Sequence, residues 1–438
     1  MNQSSLELNN ILTKDVKKIY GIFFTPQSII RDFYPNVIKH LEKKEKYNFL
    51  EPSCGSCEFI DALQKDEKFI DKNNYTFDAI EYNSTIFEKI SQITRNQVNY
   101  INADFLNYDI EHKKDYHMII GNPPYFFCGT KGTGSVPKHL KGVNKDKSDT
   151  YYTKSVGRIQ IYVLFILHSL AKLKTNGVLG FILPKSILNS SYYMKTRKYI
   201  YENYELLDII DYGKMEFEDT DQETVGLIIK NNNTNINQDN NKFIFKLNNQ
   251  IFFTAEKEKL ASCYENSKRL CEMGFSVKTG PVVWNEHKDK VTNDNKCPLL
   301  LYNSNIEKNN IVIKKFKNNE KGQYINFKDK IEELPIIVCN RGNGNAKYKL
   351  NFAYIDEEVL EELSIKNNIS IKDICVENHL NVIYYKNKDK TEEEIKVMMK
   401  NICKKLGDDE KIQLWSSIFL GNNGLSKTEL EFYLPISL

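Results

Sequence analysis

The chain of 438 residues has no long apolar run. Its greasiest segment, Ile159 to Leu173, is interrupted by Gln160, His168 and Lys172, so no membrane-spanning helix is expected. The opening Met1-Asn2-Gln3-Ser4-Ser5 has no basic region followed by an apolar stretch, which speaks against secretion and for a cytoplasmic protein. Nine cysteines, an odd count spread over a long chain, do not describe a disulfide framework. A net charge of only +3 neither demands nor excludes nucleic acid, because a binding cleft needs local rather than global positive charge. Internal repeats are lacking too, so a solenoid is not expected.

What is present is the composition of a globular protein, 41% hydrophobic and 27% charged, in a chain long enough for two domains. Up to about residue 230, short β-rich runs alternate with helical stretches, which predicts βαβ units and a mostly parallel, doubly wound sheet. The strands fall at Tyr47 to Glu51, Thr76 to Glu81, Val98 to Asn102, Tyr116 to Gly121, Gly177 to Leu183, Leu206 to Asp211 and Thr224 to Lys230. Helical spacing marks Ser28 to Lys43, Ser56 to Gln64, Asn83 to Thr94 and Ile159 to Lys174. The polar stretch Asn231 to Asn241 reads as a surface loop, and one hairpin is expected around Phe243 to Phe253. The remainder, with short β-like runs at Ile311 to Phe316, Leu334 to Cys339 and Leu380 to Tyr385 among Lys- and Asn-rich loops, reads as an irregular, largely β domain with few clear helices. The expected domains are residues 1–255 and 256–438.

The sharpest local signal is Ile119-Ile120-Gly121-Asn122-Pro123-Pro124-Tyr125. Two prolines lack an N–H and fix φ, so the strand must end there and its last groups are held rigidly, at the sheet edge where ligands bind. A planar conjugated amine is a poor nucleophile until its lone pair is localised. The Asn122 side-chain oxygen and the Pro123 carbonyl could each take one amine hydrogen and stabilise the charge that develops on nitrogen. Tyr125 would offer a face for an extruded base. Taken alone, the same residues also suit a rigid turn in which Asn122 ties down its own backbone.

A second signal is Phe49-Leu50-Glu51-Pro52-Ser53-Cys54-Gly55-Ser56-Cys57-Glu58-Phe59, a strand, a small-residue turn and a helix, the arrangement that lets backbone amides approach a nucleotide. Its Cys-x-x-Cys would also suit zinc or redox chemistry, but the next cysteine, Cys128, has no paired partner. Two later strands end in acids, Glu81 and Asp104; the first suits ribose hydroxyls, and the second, followed by Phe105, suits the amine and face of an adenine. Either acid by itself also suits a solvated helix cap. Upstream, Gly21-Ile22-Phe23-Phe24-Thr25-Pro26 leads into a helix.

In this order the motifs resemble the gamma class of amino-methylating DNA methyltransferases, where a Thr-Pro segment precedes the cofactor turn and Asn-Pro-Pro-Tyr follows it. The resemblance implies a Rossmann-like catalytic domain that binds S-adenosylmethionine and releases S-adenosylhomocysteine, with no metal. Phe24, Thr25, Glu51, Ser53, Gly55, Glu81, Tyr82, Asp104, Phe105 and Asn122 would line the cofactor site. Asn122, Pro123, Pro124 and Tyr125, with Phe217 as a second aromatic, would hold the target base. The likeness continues through Leu173 to Leu179, and in looser form through Gly274 to Gly280, Asn378 to Val382 and Leu425 to Ile436, so the second half would be a target-recognition domain. There Lys314, Lys315, Lys317, Arg341, Lys347 and Lys349 are candidate DNA-backbone contacts, with Gly342 and Gly344 permitting close approach, although a solvated lysine surface explains them equally well. The sequence departs from the family at Cys57, where many relatives have glycine, and at Gln160, where an acid is common.

Methylation of the cytosine ring carbon needs a cysteine nucleophile, usually after proline, and the sequence has no Pro-Cys pair. Cytosine amine methylation usually carries Ser or Asp in place of Asn122. The expectation is therefore an adenine-N6 methyltransferase of restriction-modification or orphan type that flips its base from double-stranded DNA. It would act as a monomer, off the membrane, with any cognate restriction endonuclease a separate chain. RNA adenine or protein glutamine methylation by the same chemistry is the alternative, and a non-catalytic DNA binder would have no use for the tetrad.

Overall fold

A computed structural model describes residues 3–69, 74–108, 116–126, 160–213, 223–232, 238–314, 316, 321–327, 329–341, 350–408, 410–419 and 425–437. These form two compact units, Met1–Lys257 and Glu258–Leu438. No helix among the described residues is long and apolar enough to cross a membrane.

In the first unit seven strands form one sheet: β1 Tyr47–Glu51, β2 Tyr75–Glu81, β3 Val98–Asn102, β4 Tyr116–Gly121, β5 Leu173–Pro184, β6 Glu205–Gly213 and β7 Thr224–Lys230. Their order is β3-β2-β1-β4-β5-β7-β6, parallel except for β7, which runs antiparallel to both neighbours. The chain winds outward from β1 to β3, then returns to lay β4 on the other side of β1. The carboxyl ends of β1 and β4 therefore flank the switch point where such sheets bind ligands.

The first-unit helices are α1 Gln3–Ile11, α2 Lys14–Tyr20, α3 Gln27–Ile38, α4 Glu58–Gln64, α5 Ser84–Ser91, α6 Ile161–Lys172 and α7 Met194–Asn203. Alternate residues of the central strands enter opposite cores. Leu50, Ile80, Ile119 and Leu179 pack with α6, whereas Phe49, Ala79, Met118, Ile120 and Val178 pack with α3, α4 and α5. With both faces covered, Met118 to Ile120 of β4 read as a short hydrophobic run. The same covering explains why α6 buries residues all round, Tyr162 to Leu167 without a gap. Close packing of α3 on the sheet depends on two glycines, since a Cβ at Gly180 would stand 2.4 Å from Val37 and one at Gly226 2.5 Å from Phe33. Arg197 of α7 is fully buried and donates to the carbonyls of Ile187, Asn189, Ser190 and Ile251.

Strands β1, β3, β4 and β7 have the expected limits, whereas β5 begins four residues early at Leu173 and α3 stops at Ile38 rather than running on to Lys43. The hairpin is present as Ile244–Leu247 and Gln250–Phe253, turning at Asn248 and Asn249, both at positive φ as a two-residue hairpin turn requires.

The second unit holds two four-stranded sheets. One is ordered Phe275–Thr279, Leu380–Tyr385, Ile336–Asn340, Phe352–Ile355; the other Val291–Thr292, Tyr324–Ile325, Leu299–Leu301, Ile374–Val376. It is more helical than its sequence suggests, with helices at Glu357–Asn367, Glu392–Asp408, Glu410–Phe419 and Lys427–Phe432. Glu392–Asp408 buries only Met399, Ile402, Cys403 and Leu406, a helical stripe diluted by lysines and acids. The strand expected at Ile311 to Phe316 shrinks to the pair Asn310–Ile311.

Candidate active site

The parallel register brings Glu51, Glu81, Asp104 and Asn122 to the same sheet edge, each at or just past the end of its strand. After β1 the chain turns through Gly55 at φ +50° and Cys57 at φ +63° before α4 begins. Cys57 thus holds a left-handed conformation that a side chain rarely adopts. The turn is pinned by Cys54 N–H on the Ile80 carbonyl (2.9 Å) and Gly55 N–H on Glu81 Oε2 (3.0 Å). Phe24 lies over it, its ring 3.6 Å from where a Gly55 Cβ would stand. Cys54 and Cys57 are buried against each other, and burial pushes the Cys54 thiol well above its ordinary range.

The acids differ. Glu51 is buried, no described residue hydrogen-bonds its Oε2, and desolvation holds its carboxyl well above the usual carboxylate range. Glu81 accepts from Gly55 N and from Asn83 N (2.8 Å); burial outweighs these bonds and raises it to about 7. Asp104 is tied into its own turn, accepting from Leu106 N (3.0 Å) and the Asn107 side chain. Tyr82 is exposed, its ring 6.1 Å from that of Tyr20, whereas Phe105 is buried between Phe165 and His168.

Beyond β4, Ser53 Oγ donates to the Asn122 carbonyl (3.3 Å), so the tetrad lies directly against the β1 turn. Asn122 Nδ2 donates to the Phe23 carbonyl (3.2 Å) and to Thr25 Oγ1 (3.1 Å), and Thr25 is buried. The Tyr125 hydroxyl lies 2.5 Å from Asn122 Oδ1 and 2.9 Å from the Ile182 carbonyl, both acceptors for its single proton. Its ring stacks on Phe23 and meets Tyr162 edge-on. Pro123 is buried and Pro124 half-buried.

Gly21 and Phe23 are the contributors that motif reading passes over. Gly21 caps α2 at φ +62°, and a Cβ there would stand 2.8 Å from Tyr125 N, so only glycine lets the two segments meet. A glycine after a helix and before three apolar residues is the available signal. Phe217 lies outside the described residues, as do Lys315, Lys317, Lys347, Lys349, Gly342 and Gly344. Lys314 pairs with Glu307, and Arg341 Nη1 donates to the Asn378 carbonyl (3.0 Å).

Residues 17–217, which contain the Thr-Pro segment, the glycine turn and the tetrad, match the Eco57I restriction-modification methylase family. The first unit of the chain is thus similar to restriction-modification methylases. Among curated relatives, the type II methyltransferase M.CvrRI of Paramecium bursaria Chlorella virus XZ-6E is 28% identical over 80% of this chain and 82% of its own length. Modification methylase CviBIII of Paramecium bursaria Chlorella virus NC1A is 30% identical over 52% of this chain and 54% of its own. Type II methyltransferase M.VspI of Vibrio sp. (strain 343) is 27% identical over 46% of each. The chain thus spans most of the first relative and about half of the other two.

Proposed function

We propose that this methylase transfers a methyl group from S-adenosylmethionine to the N6 amine of an adenine flipped out of double-stranded DNA. The observation that carries the reading is the position of Asn122, at the end of β4 and bonded through its carbonyl to Ser53 of the β1 turn, which sets amine acceptors beside a nucleotide-type turn. The N-terminal unit would supply cofactor and chemistry, and the C-terminal unit target recognition.

The residues present fit the cofactor. The orphan oxygen of buried Glu51 suits an ammonium group, Glu81 suits ribose hydroxyls once ionised, and the Gly55 turn leaves main chain accessible. S-adenosylmethionine supplies an electrophilic sulfonium methyl and leaves as S-adenosylhomocysteine. The chain's part is to prepare the nucleophile. Asn122 Oδ1 and the Pro123 carbonyl each accept one amine hydrogen, localising the lone pair and favouring the pyramidal, partly positive nitrogen of the transition state. Tyr125 presents its ring to the base, and its hydroxyl can give up Oδ1 to the amine without losing a partner, because the Ile182 carbonyl is already in reach. No charged base is needed, since the proton leaves only after nitrogen has become cationic.

The test is incubation of purified protein and methyl-labelled S-adenosylmethionine with unmodified DNA and, in parallel, with RNA and protein substrates, followed by mass spectrometry of nucleosides and peptides and by mapping. Label in N6-methyladenine is expected. Label confined to cytosine, RNA or protein glutamine would overturn the reading.

A further inference from the structure

Thr25 stands among the expected cofactor residues, yet its hydroxyl faces the Asn122 amide. An asparagine side chain ends in an oxygen and a nitrogen of nearly equal size, and the torsion that exchanges them has a shallow, roughly twofold profile. The two orientations are chemically opposite. Oxygen toward the substrate accepts from an amine; nitrogen toward it sets donor against donor.

Asn122 Nδ2 carries two hydrogens and both have partners on one segment, the Phe23 carbonyl at 3.2 Å and Thr25 Oγ1 at 3.1 Å. A carbonyl can only accept, so a flipped amide would set oxygen against oxygen at Phe23. Thr25 holds the second hydrogen and, being buried, has no water to replace Asn122. The segment is itself held in place: Gly21 allows it to pass against the Tyr125 backbone, and Phe23 stacks on the Tyr125 ring.

We infer that Thr25 is a positioning residue for methyl transfer: with the Phe23 carbonyl it locks the Asn122 amide so that Oδ1 faces the substrate amine. The inference rests on the amine-methylating reading above. It assigns Thr25 an effect on the rate of transfer rather than on cofactor affinity.

Thr25→Val keeps the shape and removes the acceptor. Single-turnover transfer to the substrate that takes the label should slow about tenfold or more, while the dissociation constant for S-adenosylmethionine stays within about twofold. Thr25→Ser, which retains the hydroxyl, should restore most of the rate. Combined with Asn122→Ala, the valine change should cause no additional loss, since its effect passes through the amide. Thr25→Ala against Thr25→Ser repeats the comparison with side chains no larger than threonine, should the valine variant melt early. An unchanged rate in Thr25→Val would overturn the inference, and so would a loss of cofactor affinity equal to the loss of rate. Failure of the adenine reading is separately visible, because the wild-type protein would then label another substrate, on which the same variants decide whether Thr25 sets the amide.

Discussion

The two units bury their cores by different means. The first stacks helices on both faces of one seven-stranded sheet, and the candidate chemistry stands along a single edge of it. The second divides its described strands among two four-stranded sheets and two short strand pairs and interleaves helices, among them Glu392–Asp408 with its narrow buried stripe. A continuous parallel sheet forces strand ends into register, so residues far apart in sequence, such as Glu51 and Asn122, converge without any local signal. Short strands impose no such edge, and the two described candidate DNA contacts of the second unit have partners within it: Lys314 with Glu307, Arg341 with the Asn378 carbonyl.

The largest expected effect probes whether the units are also separate in stability. Trp415, fully buried, stacks on Phe419 and donates to the Tyr264 hydroxyl. Trp415→Ala should cost about 3–5 kcal/mol in denaturant unfolding of the second unit. Binding of S-adenosylmethionine, followed calorimetrically below the transition, should survive; its loss would show that the first unit does not stand alone.

At the sheet edge, Asn122→Ala should lower kcat by about two to three orders of magnitude, the cost of removing one preorganised transition-state partner. The fold should persist with a modestly lower melting temperature, since the Phe23 carbonyl and the Thr25 hydroxyl lose their partner but no apolar core atom is removed; substantial remaining activity would remove the tetrad from the mechanism.

A smaller effect follows from Glu81. Its folded value of about 7 lies above that of a free carboxyl because burial disfavours the charge. The sign for stability follows: the group is neutral in both states at low pH, and ionising it costs the folded state increasingly as pH rises from the unfolded value through about 7. If Glu81 takes the ribose hydroxyls as proposed, cofactor affinity should run the other way, because they need the carboxylate. Between pH 8 and pH 6 affinity should fall roughly tenfold, as the ionised fraction does. Glu81→Gln should flatten that profile, and an equally steep profile in the variant would assign the titration elsewhere.

The smallest effect tests the second unit's surface. Lys314→Ala should leave stability within about 0.5 kcal/mol, its pair with Glu307 being exposed. If Lys314 meets a phosphate, the slope of log affinity for DNA against log salt should lessen by about 0.9. An unchanged slope would strike Lys314 from the DNA-facing surface.

Legibility in the sequence followed the same division. Strands β1, β4 and β7 were readable to the residue because burial on both faces turns each into a compact β-rich run, whereas β3, a half-buried edge strand, was readable from Val98, Tyr100 and Ile101 between polar neighbours. Asn122 to Tyr125 stood out because two prolines after an apolar strand admit few structures. Helix Glu392–Asp408 was obscured because one narrow stripe suffices to bury it. Phe23 was missed because it contributes a carbonyl as well as a ring, and a main-chain acceptor leaves no mark in residue type.

The sequence by itself determined the alternation of strand and helix, the place where β4 must stop, and the residue types able to polarise an amine, since these depend on local sterics and on spacing along the chain. Tertiary structure decided which way those groups face. The Asn122 amide turns its nitrogen toward Phe23 and Thr25, 99 and 97 positions away. The higher ionisation range of Glu81 depends on burial that its own strand does not provide. Orientation and ionisation are set by neighbours in space, and in this sheet those neighbours come from different strands and from the segment before α3.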